Sequence, residues 1–161
     1  MNIICFHNPN EENGFLSNWY LIHFIADGVK FSSVEQYMMY QKALCFKDEA
    51  TAAKIMKTDD VALIKSLGRS VSGYYDDVWN MVREGVVFNG LKAKFQQNEE
   101  LRDKLLSTNG CILAECAVKD LIWGIGLSMK DPNRFDTTKW RGKNLLGYAL
   151  MKVRDALDKQ K

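Results

Sequence analysis

The chain has 161 residues, 47% of them hydrophobic and 26% charged, which is typical of one ordinary globular domain. A formal net charge of +2 predicts a surface of mixed sign rather than a basic face built to neutralise many phosphates, although nucleic acid remains a permitted ligand. The N-terminus lacks a signal-peptide pattern and no segment is a continuous apolar span, which predicts a cytoplasmic protein without membrane association.

Few residues are available to bind a metal ion or to divide the chain. The cysteines, Cys5, Cys45, Cys111 and Cys116, form no CxxC pair, and only two histidines accompany them. We therefore expect no metal site, no disulfide and no cofactor. The sequence contains only two prolines, no internal repeat and no low-complexity linker, which predicts a single domain over residues 1–161.

The N-terminal part is predicted to contain β-structure. Residues 3–6 and 20–25 are short runs of aromatic and β-branched residues, which favour strands. Asp27-Gly28 follows the second run and has the composition of a tight hairpin turn. The sequence therefore predicts a small N-terminal β element.

Helical patterns begin around Ser32. Two capping pairs fit the start of the first helix, Ser32 with Glu35 or Ser33 with Gln36, because each has a serine three residues before a residue that can close a capping box. Apolar residues at helical spacing follow this start. The helix is expected to end at about residue 46.

Two shorter helices are predicted next, one over residues 48–56 and one from residue 58 or 59 to 67. Gly68 directly follows the second of them. Because glycine adopts the left-handed conformation that commonly ends a helix, we expect Gly68 to be its C-terminal cap. A loop is then expected to begin at Arg69.

Residues 76–97 are predicted to form the central helix. Its apolar residues recur at helical spacing. They are Val78, Met81, Val82, Gly85, Val86, Phe88, Leu91 and Phe95. A short helix over residues 98–106 should follow and end at Asn109-Gly110.

Residues 111–116 read as a buried strand, and the segment after it, up to residue 144, has too few periodic apolar residues to be a core element. The last helix is predicted over residues 145–157. Its apolar stripe consists of Leu146, Leu150, Val153 and Leu157. Together these elements predict a helix-dominated α+β fold.

Glu35 and Lys42 lie seven residues apart in the first predicted helix, so they share one face and are about 10.5 Å apart along the helix axis. That face can line a pocket. Alternatively, Glu35 closes the capping box and Lys42 is a solvated surface residue. These two residues alone leave both interpretations open.

Three of the four tryptophans stand in polar or glycine-flanked contexts, namely Trp19, Trp123 and Trp140. In such contexts an indole ring can present its face to a planar ligand, whereas packing in the core is the ordinary alternative for any tryptophan. The fourth, Trp79, lies in the predicted central helix.

A phosphate group is a plausible ligand for the loop around Gly124-Ile125-Gly126. The segment matches neither a dinucleotide-binding fingerprint nor a P-loop, but its backbone amides can still meet an anion. Arg69 and Lys143 are candidate phosphate clamps. Each of these cations is, taken alone, also typical of a solvated surface charge.

Seven segments of the chain form an ordered set of short motifs. They are Phe15-Leu16-Ser17-Asn18-Trp19, Phe31-Ser32-Ser33-Val34-Glu35-Gln36-Tyr37-Met38-Met39-Tyr40-Gln41-Lys42-Ala43, Gly68-Arg69, Trp79, Gly90-Leu91-Lys92-Ala93-Lys94-Phe95, Asp120-Leu121-Ile122-Trp123-Gly124 and Trp140-Arg141-Gly142-Lys143-Asn144-Leu145-Leu146-Gly147. In this order they resemble the NADAR domain of the YbiA-like family. The resemblance covers nearly the whole chain, and the order and spacing of the motifs make it specific.

The resemblance implies an N-glycosidase. Some family members hydrolyse phosphoribosylamino-pyrimidine intermediates of riboflavin synthesis, and others remove ADP-ribose from guanine bases in DNA. The expected partner is therefore a small phosphoribosyl or ADP-ribosyl substrate, or ADP-ribosylated DNA. The chemistry needs no metal or redox cofactor, and the sequence does not indicate an oligomeric state.

The resemblance also implies roles for particular residues. Glu35 matches the family's catalytic carboxylate and is expected to activate water and stabilise the sugar cation. Asp120 is its natural partner, expected to hold ribose hydroxyls or assist proton transfer. The order of these two roles stays open. The positions implied to bind substrate are Asn18, Lys42, Arg69, Trp79, Trp123, Gly124, Lys143 and Asn144. Gln36 departs from the family, which often has histidine there, so no titratable role is expected at that position.

Two other classes of function remain open. A non-catalytic reader of ADP-ribose or nucleotides would use the same aromatic and cationic pocket and would bind without releasing a product. A helical interaction module would use its tryptophans only in the core. In that case a nucleotide would neither raise the melting temperature nor change the tryptophan fluorescence.

Overall fold

The computed structural model describes residues 2–160 of the chain. These residues form six α-helices and four β-strands, so the predicted helix-dominated α+β fold with a small N-terminal β element is confirmed. They fall into two compact units. The central unit is Leu21–Gln97, and the terminal unit consists of the described residues up to Tyr20 and from Asn98 onwards. The single domain over residues 1–161 stays a prediction.

The terminal unit contains a short parallel pair of strands, β1 (Ile3–Phe6) and β4 (Ile112–Glu115). The central unit begins with a β-hairpin. Its strands β2 (Phe24–Ala26) and β3 (Val29–Phe31) pair antiparallel.

The turn of this hairpin is Asp27-Gly28, as predicted. Both residues have positive φ angles, 53° and 76°, which a type I′ turn requires. The strand predicted over residues 20–25 was too long, because β2 begins only at Phe24. The N–H of Ile22 still donates to the carbonyl oxygen of Ser32 at 3.0 Å, but the chain enters a helix at Val34, which ends the pairing.

Three helices follow the hairpin. Each starts directly after a residue whose side chain accepts a backbone N–H of the first turn, as an N-cap does. The capping residues are Ser33, Asp48 and Asp60. The helices are α1 (Val34–Cys45), α2 (Glu49–Met56) and α3 (Val61–Arg69).

The prediction that Gly68 caps α3 was wrong. Gly68 lies inside the helix, and a Cβ atom added to it would be 1.9 Å from Sδ of Met39 on α1. The glycine therefore permits α3 to lie close against α1 rather than ending the helix. For the same reason Arg69 is the last helical residue and not the start of a loop.

Helix α4 (Asp76–Gln97) has the predicted bounds, but only part of its predicted apolar face is buried. Leu91 and Phe95 of the predicted face are buried, and so is Val87, which was not predicted. Tyr37 of α1 packs against Gly90. Three predicted face residues nearer the start of the helix are exposed, namely Val78, Met81 and Val82. Helical spacing identifies an apolar stripe but not whether another element covers its whole length.

The terminal unit also contains α5 (Glu99–Ser107) and α6 (Leu145–Asp158). The predicted stripe of α6 is confirmed, because Leu146, Leu150, Val153 and Leu157 are all buried. Helix α6 packs against β4 so closely that a Cβ atom on Gly147 would lie 2.0 Å from the carbonyl oxygen of Leu113.

A second apolar cluster of the terminal unit corrects the expectation for Trp140. The cluster consists of Cys5, Ala114, Cys116, Ile125 and Leu127. Trp140 packs against it, and its indole N–H donates a 2.9 Å hydrogen bond to the carbonyl oxygen of Arg134. Core packing therefore accounts for Trp140. Over residues 2–160, no helix is both long and apolar enough to span a membrane.

Candidate active site

The predicted site residues fall in both units. The central unit holds Glu35, Lys42, Arg69 and Trp79. The terminal unit holds Asn18, Asp120, Trp123, Gly124, Lys143 and Asn144.

Glu35 is the second residue of α1, and only 4% of its surface is exposed. It does not close the capping box. Ser33 Oγ accepts the N–H of Gln36, and Gln36 Oε1 accepts the N–H of Ser32 at 2.8 Å. Of the two predicted pairs, Ser33 with Gln36 is therefore correct. Capping therefore does not account for the burial of the Glu35 carboxylate.

Lys42 lies in α1 within electrostatic reach of Glu35 and Arg69. Burial lowers the pKa of Lys42, the Glu35 carboxylate raises it, Arg69 lowers it and Asp76 raises it. The face of α1 that Glu35 and Lys42 share thus carries a carboxylate and a cation, and Arg69 of α3 adds a second cation within electrostatic reach. Such a group of charges can bind an anion through its cations while the carboxylate stabilises a developing positive charge.

The other two predicted residues of the central unit differ in exposure. Arg69 is exposed at the end of α3 and can reach a ligand. Trp79 is only 5% exposed in α4, which is the environment of a core aromatic residue. Its predicted contact with substrate stays a prediction.

Asp120 has a local structural task in the terminal unit. Its Oδ1 accepts the backbone N–H groups of Ile122 at 3.0 Å and Trp123 at 2.8 Å, so the side chain holds the turn that carries Trp123. Trp123 itself is half-buried. The catalytic role predicted for Asp120 stays a prediction.

Asp120→Asn separates these roles, because asparagine keeps the Oδ1 acceptor and removes the charge. We expect the free energy of unfolding to change by less than about 0.5 kcal/mol. Turnover should fall at least about tenfold if the charge takes part in catalysis. The measurements are product release by chromatography and chemical denaturation. Unchanged turnover would leave Asp120 as a turn residue only.

The predicted binding residues Gly124 and Asn144 also have structural tasks. A Cβ atom on Gly124 would lie 2.9 Å from Ala117 Cβ and 3.0 Å from the carbonyl oxygens of Asp120 and Glu115, so only glycine fits. Asn144 is fully buried, and its side-chain amide bonds the backbone of β4. Lys143 is exposed and remains available to a ligand.

Asn18 is the residue of the terminal unit whose environment best fits ligand binding. Its side chain is only 6% exposed, and its Oδ1 atom is buried without a hydrogen-bond partner among residues 2–160. Buried amide oxygens are nearly always hydrogen-bonded, so an unsatisfied one calls for an explanation. A ligand that donates to this oxygen would supply one.

Lys94 and Glu115 are buried charged residues that were not among the predicted site residues. Lys94 is fully buried on α4, and burial lowers its pKa to about 7. Lys94 lies three residues after Leu91 and therefore on the buried stripe, so helical spacing could have predicted its burial. Glu115 Oε1 lies 2.9 Å from His7 Nδ1. Its position inside a predicted buried strand could likewise have predicted a buried carboxylate.

Comparisons with known proteins agree on one family. The family model described as "NADAR domain" matches residues 5–158. The chain is 37% identical to N-glycosidase R617 of Acanthamoeba polyphaga mimivirus, over 94% of each protein. A riboflavin biosynthesis protein of Vibrio vulnificus is 32% identical, over 96% of this chain and 38% of that protein. The NMR structure of Escherichia coli YbiA is 31% identical, with a TM-score of 0.82 over 99% of this chain and 86% of that one.

Proposed function

Because the chain belongs to the NADAR domain family, we propose that it is an N-glycosidase that hydrolyses the bond between a ribose and a nitrogen of a nucleobase-like group. Relatives that align along most of the chain carry the name N-glycosidase. The observation that carries the proposal is the buried Glu35 carboxylate with Lys42 and Arg69 within electrostatic reach.

The chemistry of the reaction fits this group of charges. Breaking a ribosyl C1′–N bond builds positive charge on the sugar and negative charge on the leaving nitrogen. Glu35 is assigned to activating water and stabilising the sugar cation. Lys42 and Arg69 are assigned to the phosphate or pyrophosphate on the 5′ side of the ribose, because ammonium and guanidinium groups bind phosphate through charge-assisted hydrogen bonds.

For the substrate we favour a phosphoribosylamino-pyrimidine of the kind found in riboflavin synthesis. A relative that aligns with nearly the whole chain is named a riboflavin biosynthesis protein. The net charge of +2 is modest and adds no specific support for DNA. ADP-ribosylated guanine in DNA is the second substrate to be tested.

The deciding experiment is to incubate the protein with each substrate and to separate the products by chromatography. We expect free pyrimidine base and ribose 5-phosphate from the first substrate. If ADP-ribose is released from ADP-ribosylated DNA and no base is released from the phosphoribosyl substrate, the assignment moves to DNA repair. Binding of ribose 5-phosphate or ADP-ribose without product from either substrate would indicate a non-catalytic reader instead.

Replacing Lys42 with alanine tests the phosphate assignment. Calorimetric titration with ribose 5-phosphate should show binding about tenfold or more weaker, because a charge-assisted contact is worth about 1.5 to 3 kcal/mol. Ribose 5-phosphate at ten times its dissociation constant should raise the free energy of unfolding of the wild type by roughly 1.4 kcal/mol. The same concentration should raise that of the variant by less. Lys65→Ala, a substitution elsewhere in the central unit, is the control. Equal affinity in wild type and Lys42→Ala would contradict the assignment.

A further inference from the structure

The ammonium group of Lys42 lies against an aromatic ring that comes from outside α1. Lys42 Nζ is 4.6 Å from the centroid of the Tyr74 ring, within the range of a cation–π contact. Tyr74 stands in the segment between α3 and α4. The ring is therefore part of the surroundings of the candidate site, although no motif of the sequence pointed to it.

The Tyr74 ring is held in place from two sides. Its hydroxyl donates a 2.5 Å hydrogen bond to Asp76 Oδ1, and its ring contacts the Phe46 ring with centroids 5.2 Å apart. A ring fixed in this way can fix a cation that rests on it, since less side-chain entropy is lost when the contact forms.

The segment that carries Tyr74 is itself attached to the helices around it. The N–H of Ser72 donates to Asp48 Oδ2 at 2.9 Å, and Val71 is buried. Gly73 has a φ angle of 71°, a conformation that glycine adopts without steric cost. These contacts attach the segment that carries Tyr74 to α2 and to the core of the central unit.

Several charged groups act on the protonation of Lys42. The groups that act on it are Glu35 on the same helix, Arg69 at the end of α3 and Asp76 at the start of α4. Burial and Arg69 lower the pKa of Lys42 and so favour loss of its proton. Glu35, Asp76 and the negative face of the Tyr74 ring act in the opposite direction, with Glu35 contributing more than Asp76.

We propose that Tyr74 and Asp76 are positioning residues that keep the side chain of Lys42 in one place and in its cationic form, ready to bind the phosphate of the substrate. This inference rests on the proposed function for its phosphate ligand. It adds a specificity element to the site, because a fixed cation favours phosphorylated ribosides over ribosides without phosphate.

Three variants and one control test the inference. Tyr74→Leu removes the ring, Tyr74→Phe keeps the ring and removes the hydroxyl, and Asp76→Asn removes the charge. Tyr75→Leu is the matched control, because Tyr75 is the neighbouring tyrosine and is 61% exposed. Thermal melts of all four show which variants remain folded, and Tyr74→Phe keeps the test valid if Tyr74→Leu unfolds.

The first readout is the affinity for ribose 5-phosphate by calorimetry. Tyr74→Leu should weaken binding about three- to thirtyfold, the range of a partly desolvated cation–π contact. Tyr74→Phe should stay within about threefold of wild type because the ring face remains. As the pH is raised, Asp76→Asn should lose affinity for ribose 5-phosphate at a lower pH than wild type does, because Lys42 then gives up its proton more readily.

The second readout does not depend on any substrate. After reductive methylation with ¹³C-formaldehyde, NMR titration follows the Lys42 resonance, which is assigned by its loss in Lys42→Arg. We expect the pKa of Lys42 to fall by about half a pH unit or more in Tyr74→Leu and in Asp76→Asn, and to stay unchanged in Tyr75→Leu.

The outcomes separate this inference from the proposed function. If Lys42 titrates identically in wild type, Tyr74→Leu and Asp76→Asn, the inference is overturned whether or not the protein is an N-glycosidase. If wild type releases no base from any substrate while Lys42 responds as expected, the proposed function fails and the positioning of Lys42 stands.

Discussion

Replacing Glu35 with glutamine should lower turnover at least a hundredfold, because a positioned acid or base contributes roughly 10² to 10⁴ in rate. Glutamine keeps the shape of the side chain and removes only its negative charge. Both water activation and stabilisation of a sugar cation need that charge. The measurement is the release of free base or ribose 5-phosphate by chromatography.

The same substitution should leave the fold intact. Glu35 takes no part in the capping box, and glutamine keeps its size and one acceptor oxygen. Losing the attraction to Lys42 destabilises the fold, whereas relieving the cost of a buried charge stabilises it, so the two effects oppose each other. We expect the free energy of unfolding to fall by no more than about 1 kcal/mol, or to rise. A loss of activity with an unchanged melting temperature would then report on chemistry and not on folding.

Gln36→Ala, on the next residue, shows the contrasting effect of losing a structural side chain. Gln36 Oε1 accepts from Ser32, and its Nε2 donates to the carbonyl oxygens of Ile55 and Thr58 at 3.1 and 3.0 Å. Alanine leaves these buried groups unpaired, so we expect a loss of about 2 to 4 kcal/mol in the free energy of unfolding. If Glu35→Gln keeps more than about a tenth of wild-type turnover, Glu35 is not the catalytic carboxylate.

The parts of the fold that were predictable from sequence are those fixed by neighbouring residues. Asp27-Gly28 determines the hairpin turn locally through its positive φ angles. Asp48 caps α2 through Thr51, three residues along the chain. Such signals need no knowledge of what lies elsewhere in the chain, and the helices were accordingly found within a few residues of their ends.

The errors concern contacts between residues that are far apart in sequence. Gly68 has the composition of a helix cap, but its role is set by Met39 on another helix. Met81 lies on a regular apolar stripe and is nevertheless 85% exposed, because the described residues around it leave that part of α4 uncovered. Local pattern cannot specify the partner of a face.

The features of the candidate site also divide into those that local sequence predicts and those that depend on contacts between distant residues. The shared face of Glu35 and Lys42 follows from helical spacing and was predictable. The contact of Tyr74 with Lys42 was not, because 32 positions separate two residues that no common motif connects. A resemblance in sequence also does not tell whether a matching polar residue binds substrate or holds the backbone. Asn144 is implied by the resemblance to bind substrate, but its side chain is hydrogen-bonded to the backbone of β4.

Replacing Asn144 with alanine should lower the free energy of unfolding by about 3 kcal/mol. Its Nδ2 donates to the carbonyl oxygen of Leu113 at 2.8 Å, and its Oδ1 accepts the N–H of Glu115 at 3.1 Å. Alanine leaves both backbone groups of β4 buried and unpaired, at a cost of about 1 to 3 kcal/mol each. The melting temperature should fall by roughly 6 to 12 °C, the scale for a chain of this size.

The backbone of Asn144 provides a second, separable contribution. Its φ angle is 54°, a left-handed conformation that asparagine tolerates and alanine adopts only at a cost of roughly 1 kcal/mol. Asn144→Gly removes the side-chain hydrogen bonds without that strain. The free energy of unfolding of Asn144→Gly should therefore be about 1 kcal/mol higher than that of Asn144→Ala.

Lys143→Ala is the matched control for Asn144, because Lys143 is the adjacent residue and is exposed. It should change the free energy of unfolding by less than about 0.5 kcal/mol, while weakening ligand binding if Lys143 meets a phosphate. Chemical denaturation and calorimetric titration of the same preparations measure both quantities. If Asn144→Ala keeps wild-type stability and loses only affinity for ribose 5-phosphate, Asn144 binds substrate and its bonds to β4 are dispensable.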